Sequence, residues 1–309
     1  MPSKLLGNKP HELTATALDV AWRQWHAIGA TATVRDPATS VVDPEALMLF
    51  TLQASQREPR FESLLFSWLE VNASLVSVQR MRNLQKVFPP QLRPQVQRFS
   101  QIAREVAKHP KWSALGDGDD HSHESHALPD VRRAVRSPLR RSGALLLRLR
   151  QALGLGAKAD ILAVLLGQAG HPLTVKEIVD LTSYTNVAVR GAIDDLTRAG
   201  FTVALSGRPV RYAAPAKEWG SLLGLRSMPA WHPWAQFYAF VIAYEELSGQ
   251  ARAGDFSEYA ANSKLRDLVE ENQMLFEQMD HDRTLNQGDA LEMAQGSVTR
   301  LARWAARSA

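Results

Sequence analysis

The fold is decided by residues 159–215, which read ADILAVLLG at 159–167, LTVKEIVDLT at 173–182, TNVAVRGAIDDLTRAG at 185–200 and FTVALSGRPVRYAA at 201–214. In the first three segments apolar residues recur three or four positions apart, which is the spacing of a helix face. The fourth segment has two short runs of strand-forming residues around SGRP at 206–209, a pattern typical of a hairpin turn. The sequence therefore predicts three short amphipathic helices followed by a two-stranded hairpin.

Capping signals indicate where the second and third of these helices begin and end. Thr174 stands at the expected N-cap of the second helix, and Glu177 follows three residues later, which is the pattern of a capping box. Thr185 can cap the third helix, and residues 198–200, Arg-Ala-Gly, can end it with a base and a left-handed glycine. Residues 182–184 are the turn between the two helices.

The third helix has one bulky face and one slim, polar face. Val189, Ile193 and Leu196 lie at i, i+4 and i+7, so we expect them to pack on the first two helices. The opposite face carries small and polar side chains and can therefore enter the major groove of DNA. The residues predicted to contact DNA from this helix, its turn and the hairpin are Ser183, Tyr184, Thr185, Asn186, Val187, Ala188, Arg190, Arg208 and Arg211.

Individual contacts follow from side-chain chemistry. The amide of Asn186 can make paired hydrogen bonds to adenine, and Arg190 can bind guanine or a phosphate. Arg208, at the tip of the hairpin, can enter the minor groove or bind a phosphate. Asp194 and Asp195 are unfavourable near phosphates, so we place them late on the helix and away from the DNA backbone.

Positive charge is concentrated around this segment. The 309-residue chain has a formal net charge of +4, whereas residues 131–215 hold 13 basic and five acidic residues, a net of +8. Since neutralising phosphates dominates DNA affinity, Arg140, Arg141 and Lys176 are predicted as further phosphate contacts. The alternative is that the arginines only form a solvated helix face.

The stretch LTSYTNVAVRGAIDDLTRAG at 181–200, with the hairpin after it, resembles the winged helix-turn-helix of bacterial regulators of the MarR and ArsR type. It is also similar to the winged-helix domains of abortive-infection antitoxins that accompany nucleotidyltransferase toxins. The resemblance covers about one fifth of the chain. It implies transcriptional control by operator binding, usually as a dimer. A winged helix used for protein contacts is the alternative.

Outside this segment the chain reads as helical, so the expected fold class is mainly α with a small β-hairpin. Asp43 and Pro44 open one helix of the N-terminal part as N-cap and first-turn proline. The predicted divisions are a helical domain at 1–115, a polar linker at 116–130, a basic connecting helix at 131–156 that opens at Ser137 and Pro138, a winged helix-turn-helix domain at 157–220, and a helical C-terminal domain at 221–309.

The C-terminal part contains a stretch rich in aromatic residues: Trp231, Trp234, Phe237 and Tyr238. It could line a ligand pocket or a partner groove, or it could form hydrophobic core, and core is the commoner use of such a stripe. Dimerisation and partner binding are the two uses that we expect for the helical flanks.

Composition excludes several classes of protein. The chain has no cysteine, hence no disulfide and no thiolate metal site. It shows no apolar stretch that could span a membrane and no signal peptide, so the expected location is the cytoplasm, without a membrane partner. Asp and His residues at 117–126 suit a metal ion chemically, but a solvated linker is the favoured interpretation. We predict no metal site, no cofactor and, in the absence of a catalytic motif, no enzyme activity.

The leading hypothesis is a sequence-specific transcriptional regulator, a repressor that binds double-stranded DNA as a homodimer. The alternative is an antitoxin or other interaction module that binds a partner protein through its helical flanks. An enzyme of unrecognised type is the third.

Overall fold

The computed structural model describes residues 9–30, 36–115, 135–279 and 290–309. Over these ranges the chain is mainly helical with one small antiparallel sheet, as the sequence predicts. The helices are α1 (Lys9–Ala27), α2 (Pro44–Ala54), α3 (Arg60–Asn72), α4 (Val78–Leu84), α5 (Arg93–Val106), α6 (Leu145–Leu153), α7 (Ala157–Gly167), α8 (Val175–Thr182), α9 (Asn186–Arg198), α10 (Ala216–Leu223), α11 (Trp234–Ala253), α12 (Glu258–Glu271), α13 (Gln273–Met279) and α14 (Ala290–Ser308). The strands are β1 (Leu173–Thr174), β2 (Val203–Leu205) and β3 (Arg211–Ala213).

The N-terminal and C-terminal helices share one hydrophobic core. Helix α1 packs against α14, and α11 packs against α1 and α2. Phe50 of α2 stacks on Tyr238 of α11, with ring centroids 4.3 Å apart. Helices α1–α5 and α11–α14 therefore form a single helical body, instead of the two helical domains that the sequence suggested. Helices in both parts were predicted, but the packing of α1 and α2 against helices from the other end of the chain was not.

The aromatic stretch of the C-terminal part belongs to these cores. Trp234, Phe237 and Tyr238 are fully buried in the core of the helical body, and the nearly buried Trp231 lies in a second core. Trp231 also donates its backbone N–H to the carbonyl of Gly167 at 2.9 Å. These side chains fill the interior and do not line an open groove.

The second core is built by α6–α9 with Val41 and Ala214. Helix α9 contributes Val189, Ile193 and Leu196, which are buried as predicted together with residues of α7 and α8. The sheet beside it has the order β1-β3-β2, with both pairs antiparallel. The hairpin β2–β3 was predicted, whereas β1, only two residues long, was not.

The predicted basic helix over residues 131–156 is much shorter in the structure. Residues 135–144 are irregular apart from one 3-10 turn, and α6 begins only at Leu145. Ser137 does not cap a helix, because its hydroxyl donates to the carbonyl of Ile28 at 2.6 Å and its N–H donates to the Asn72 side chain. The segment is thus bound to the helical body by hydrogen bonds that no local pattern could indicate.

Two buried guanidinium groups and three buried carboxylates lie where the helical body meets the second core. We call them the buried charged cluster; its members are Arg80, Arg150, Asp43, Glu45 and Asp160. Arg150 of α6 binds two carboxylates in forked fashion. Its Nε and Nη2 lie 2.7 Å from the two oxygens of Asp160, and its Nη1 and Nη2 lie 2.6 and 2.9 Å from those of Glu45. The interaction joins α6, α7 and α2, so Arg150, although it is one of the 13 basic residues at 131–215, is buried and paired within the protein.

Arg80 of α4 is the second cation of the cluster. Its Nη2 lies 2.6 Å from Asp43 and its Nη1 lies 2.9 Å from Glu45. Its Nε donates to the backbone carbonyl of Thr182, the last residue of α8, at 3.0 Å. Through this side chain the helical body reaches the turn that precedes α9.

Helix termini stabilise the ionised carboxylates of the cluster. Asp43 is the N-cap of α2, Glu45 lies in the first turn of α2, and Asp160 lies in the first turn of α7, where each helix dipole favours negative charge. Burial alone would raise the pKa of Glu45, but Arg150, Arg80 and their hydrogen bonds outweigh it and hold that pKa below its ordinary value. Glu45 is therefore held in its ionised form between the two guanidinium groups.

None of the described helices is both long and apolar enough to cross a bilayer. Over the same ranges, no group of three or more His, Asp or Glu side chains could hold a metal ion. The polar linker predicted at 116–130, with its Asp and His residues, lies outside the described residues.

We expect Arg150→Met to lower the free energy of unfolding by about 3–5 kcal/mol, because it removes one of the two buried cations that pair Glu45 and Asp160 and leaves three buried carboxylates to the single guanidinium of Arg80. Urea denaturation measures this loss. The matched control is Arg148→Met two residues earlier, since Arg148 is partly exposed and makes one hydrogen bond, to the carbonyl of Leu223. Equal, small losses in both variants would contradict the role assigned to the cluster.

We also expect stability to fall between pH 7 and pH 5 because of His232. Burial lowers the pKa of this imidazole from its ordinary 6.5 to about 4, beside the rings of Trp234 and Trp304. Unfolded His232 therefore takes up a proton below pH 6.5 while the folded protein does not, which costs on the order of 2 kcal/mol of unfolding free energy by pH 5.

In His232→Phe this part of the pH dependence should disappear, since phenylalanine packs similarly and does not titrate. The control is His171→Gln, which changes an exposed histidine. Urea denaturation at pH 7 and pH 5 makes the comparison, and a wild-type difference that persists in His232→Phe would assign the effect to another group.

Candidate nucleic-acid interface

The candidate surface is the outer face of α9. Thr185 caps the helix as predicted, accepting a hydrogen bond from the N–H of Ala188 at 3.3 Å. Ala188 itself is half-buried against the second core. Towards solvent the helix presents Asn186, Val187, Arg190, Gly191, Asp194 and Arg198. The division into a buried bulky face and an exposed slim face is the one that the sequence predicts.

Asn186 and Arg190 bind each other on this face. Nε of Arg190 donates to Oδ1 of Asn186 at 2.7 Å, one helical turn away. The carbonyl oxygen of Asn186 is thus engaged, which weakens the expectation that its amide pairs with adenine through both of its atoms. Arg190 is instead held at one nitrogen, and its two terminal nitrogens contact no acceptor among the described residues.

The N-terminal half of the face is slim and partly apolar. Val187 is 82% exposed, and among the large apolar side chains of the described ranges only Tyr259 is as exposed. A Cβ built on Gly191 would meet no atom within 4 Å, so no other part of the described chain covers this position. A flat surface such as the edge of a base pair can therefore approach the helix closely at these two residues.

The two acidic residues of α9 differ in their partners: Asp195 forms an ion pair, and Asp194 faces solvent. Asp195 lies 2.8 Å from Nζ of Lys158 on α7, and this contact holds the pKa of Asp195 below its ordinary value. Asp194 is exposed on the outer face one turn after Arg190. Both acids lie in the second half of α9, and their placement away from the DNA phosphates stays a prediction. The exposed face as a whole is close to neutral.

The turn before α9 differs from the prediction at one residue. Ser183 is partly exposed and adopts a left-handed conformation, with φ of 58°. Tyr184 was predicted to contact DNA, yet it is only 8% exposed and its hydroxyl donates to Oδ2 of Asp160 at 3.0 Å. Burial, followed by the charge of Asp160, raises the pKa of this phenol. Tyr184 is thus hydrogen-bonded to the buried charged cluster and is removed from the candidate surface.

The hairpin presents one of its two arginines freely. Arg208 lies in the exposed loop between β2 and β3, at the tip where it was predicted. Arg211 begins β3, and its Nη1 donates to the carbonyl of Pro172 at 3.0 Å and lies 4.0 Å from a carboxylate oxygen of Glu177. Arg211 remains about half exposed, but these contacts hold it against the start of α8.

The three predicted phosphate contacts lie in different surroundings. Lys176 is exposed in the first turn of α8, and Arg140 is exposed in the irregular segment before α6. Arg141 donates to the carbonyl of His26 at 2.7 Å, so its guanidinium is held by the end of α1 in the helical body. Two of the three cations thus lie in the segment before α6 and the third in the first turn of α8.

Sequence reasoning missed the residues that fix α9 in place. Arg80, Asp160 and Gln236 surround the end of α8 and the following turn, and none of them was singled out. The one available signal was Asp160, an acid in the first turn of an apolar helix, where a buried partner is the natural expectation.

Comparison of the chain with protein-family models, with curated proteins and with solved structures finds no match.

Proposed function

We propose that this chain is a sequence-specific DNA-binding regulator of transcription. In this proposal α7–α9 and the hairpin β2–β3 are a winged helix-turn-helix module, with α9 as the reading helix and the hairpin as the wing. The observation that carries the proposal is the outer face of α9, where an exposed arginine held by an asparagine lies beside small and apolar positions. Such a face has the size and the side chains of a helix that lies in the major groove of DNA.

Two residues of this face, Arg190 and Val187, have a matching partner on a base edge. The two terminal nitrogens of Arg190 form a fork that fits the O6 and N7 acceptors of guanine. Val187 supplies an apolar contact for the methyl group of thymine. The hydrogen bond from Nε to Asn186 limits the rotamers of Arg190 before binding, which lowers the entropy cost of ordering a long side chain.

The wing supplies contacts that do not depend on sequence. Arg208 at its tip can bind a phosphate or insert into the minor groove, and Lys176 adds a positive charge at the start of α8. Because the outer face of α9 is nearly neutral, such backbone contacts must provide much of the affinity.

The proposal extends to a homodimer that acts as a repressor in the cytoplasm. A single module offers few phosphate contacts, whereas two copies on one duplex double their number and read two half-sites. The helical body, which is much larger than DNA reading requires, is the part of the chain available for association.

We expect Arg190→Ala and Arg208→Ala to affect DNA binding in different ways. Loss of Arg190 should cost about 1–3 kcal/mol on the preferred sequence and relax discrimination, because a base contact is removed. Loss of Arg208 should weaken binding to all sequences alike and make the slope of log affinity against log salt shallower by about 1. Fluorescence anisotropy with duplexes selected by the wild-type protein from a random library measures both effects.

The matched control is Arg104→Ala, which removes an exposed arginine from α5 of the helical body and should leave binding unchanged. If the wild-type protein enriched no duplex from the library, the proposed function would be wrong. If all three arginine variants bound alike, the assignment of the reading face would be wrong.

A further inference from the structure

The end of α8 is held by two side chains of the helical body. Nε of Arg80, from α4, donates to the carbonyl of Thr182, and Nε2 of Gln236, from α11, donates to the carbonyl of Asp180, both at 3.0 Å. The last carbonyls of a helix have no partner within it and carry its negative dipole end, so a guanidinium is a strong ligand for them. The terminal carbonyls of α8 are therefore bound by the helical body, while its apolar face packs in the second core.

Tyr184, two residues after the end of α8, is also held by a hydrogen bond. The Tyr184 hydroxyl donates to Oδ2 of Asp160, an oxygen that also accepts a hydrogen bond from Arg150. Nε of Arg80 lies 3.7 Å from the same oxygen. One carboxylate thus connects the turn before α9 with both guanidinium groups of the buried charged cluster.

These anchors lie immediately before the candidate reading residues. Asn186 comes two residues after Tyr184, and Arg190 is bound to Asn186 through its side chain. Between the anchors Ser183 adopts a left-handed backbone conformation, which a non-glycine residue keeps only where its neighbours enforce it. The first turn of α9 thus starts from a point that Arg80 and Gln236 of the helical body and Asp160 of α7 hold together.

We propose that Arg80, Asp160 and Tyr184 are positioning residues that set the sequence discrimination of α9 without touching DNA. The inference rests on the proposed function and adds to it the means by which the body controls the reading face. Forked hydrogen bonds to a base tolerate little displacement, whereas attraction between an arginine and a phosphate falls off gently with distance. Loosening the anchor should therefore reduce specific binding and leave non-specific binding nearly unchanged.

Tyr184→Phe tests this with the smallest possible change, because it removes one hydroxyl and keeps the buried ring. Its matched control is Tyr238→Phe, since Tyr238 is also buried and donates one hydrogen bond at 3.0 Å, to Oε1 of Gln24 in the core of the helical body. Both variants lose one buried hydrogen bond, but only one of these bonds belongs to the cluster.

Two measurements separate positioning from ordinary stability. Without DNA, amide hydrogen exchange should be about tenfold faster at residues 183–190 in Tyr184→Phe than in wild type, and unchanged there in Tyr238→Phe; this is the size expected for one hydrogen bond to a charged acceptor. With DNA, the ratio of affinities for a library-selected duplex and a scrambled duplex of equal composition should fall about three- to tenfold in Tyr184→Phe alone. A general loss of stability would not change this ratio.

The outcomes distinguish the inference from the proposed function. Equal exchange rates at residues 183–190 in the two variants would overturn the anchoring role, whether or not DNA binds. If amide exchange at residues 183–190 were faster in Tyr184→Phe but the affinity ratio were unchanged, the anchor would not control sequence discrimination. If wild type selects no duplex, the proposed function and the inferred control of discrimination fail together, and the exchange data decide only the anchoring.

Discussion

Five buried charges, three carboxylates and two guanidinium groups, hold the helical body and the second core in one arrangement. Taking such groups out of water costs several kcal/mol per ion, and only nearly complete pairing offsets that cost. Pairing is dense here: Arg80 and Arg150 each contact two or more carboxylates, and the N–H of Ser77 donates to Glu45. A well-packed apolar contact would stabilise the protein as much or more. What the cluster adds is directionality, because forked hydrogen bonds admit one relative placement of the helices.

The parts of the fold that could be predicted from the sequence are those whose signals are local. The capping box of Thr174 and Glu177, the N-cap at Thr185 and the apolar face through Val189 all involve residues within a few positions of one another. Their hydrogen bonds form within a single turn, so the residue types at fixed spacing are enough to indicate them. The hairpin is equally local, whereas the two-residue β1 exists only because β3 lies beside it.

The remaining parts depend on contacts between distant positions. Arg150 stands in an arginine-rich stretch that looks uniformly solvated, yet its partner Glu45 is 105 residues earlier. In the sequence Tyr184 has the pattern of an ordinary turn residue, but in the fold its hydroxyl donates a hydrogen bond to Asp160 of α7. Periodicity identifies the apolar face of α1 and that of α14, but it does not say that the two faces pack together. Each of these outcomes is decided by tertiary partners that compete with a plausible local interpretation.

The hydrogen bonds between the body and the segment before α9 bear on how a dimer of the proposed regulator would read DNA. A module on a flexible tether could place its helix over half-sites at many separations, so spacing would carry little information. Here the last carbonyls of α8 accept hydrogen bonds from Arg80 and Gln236 of the body, and Tyr184 in the following turn donates a hydrogen bond to Asp160. In any symmetric pair formed through the helical bodies, the distance between the two α9 helices would be fixed by that contact. The half-site spacing of the operator would then be a property of the body, although no residue of the body need touch DNA.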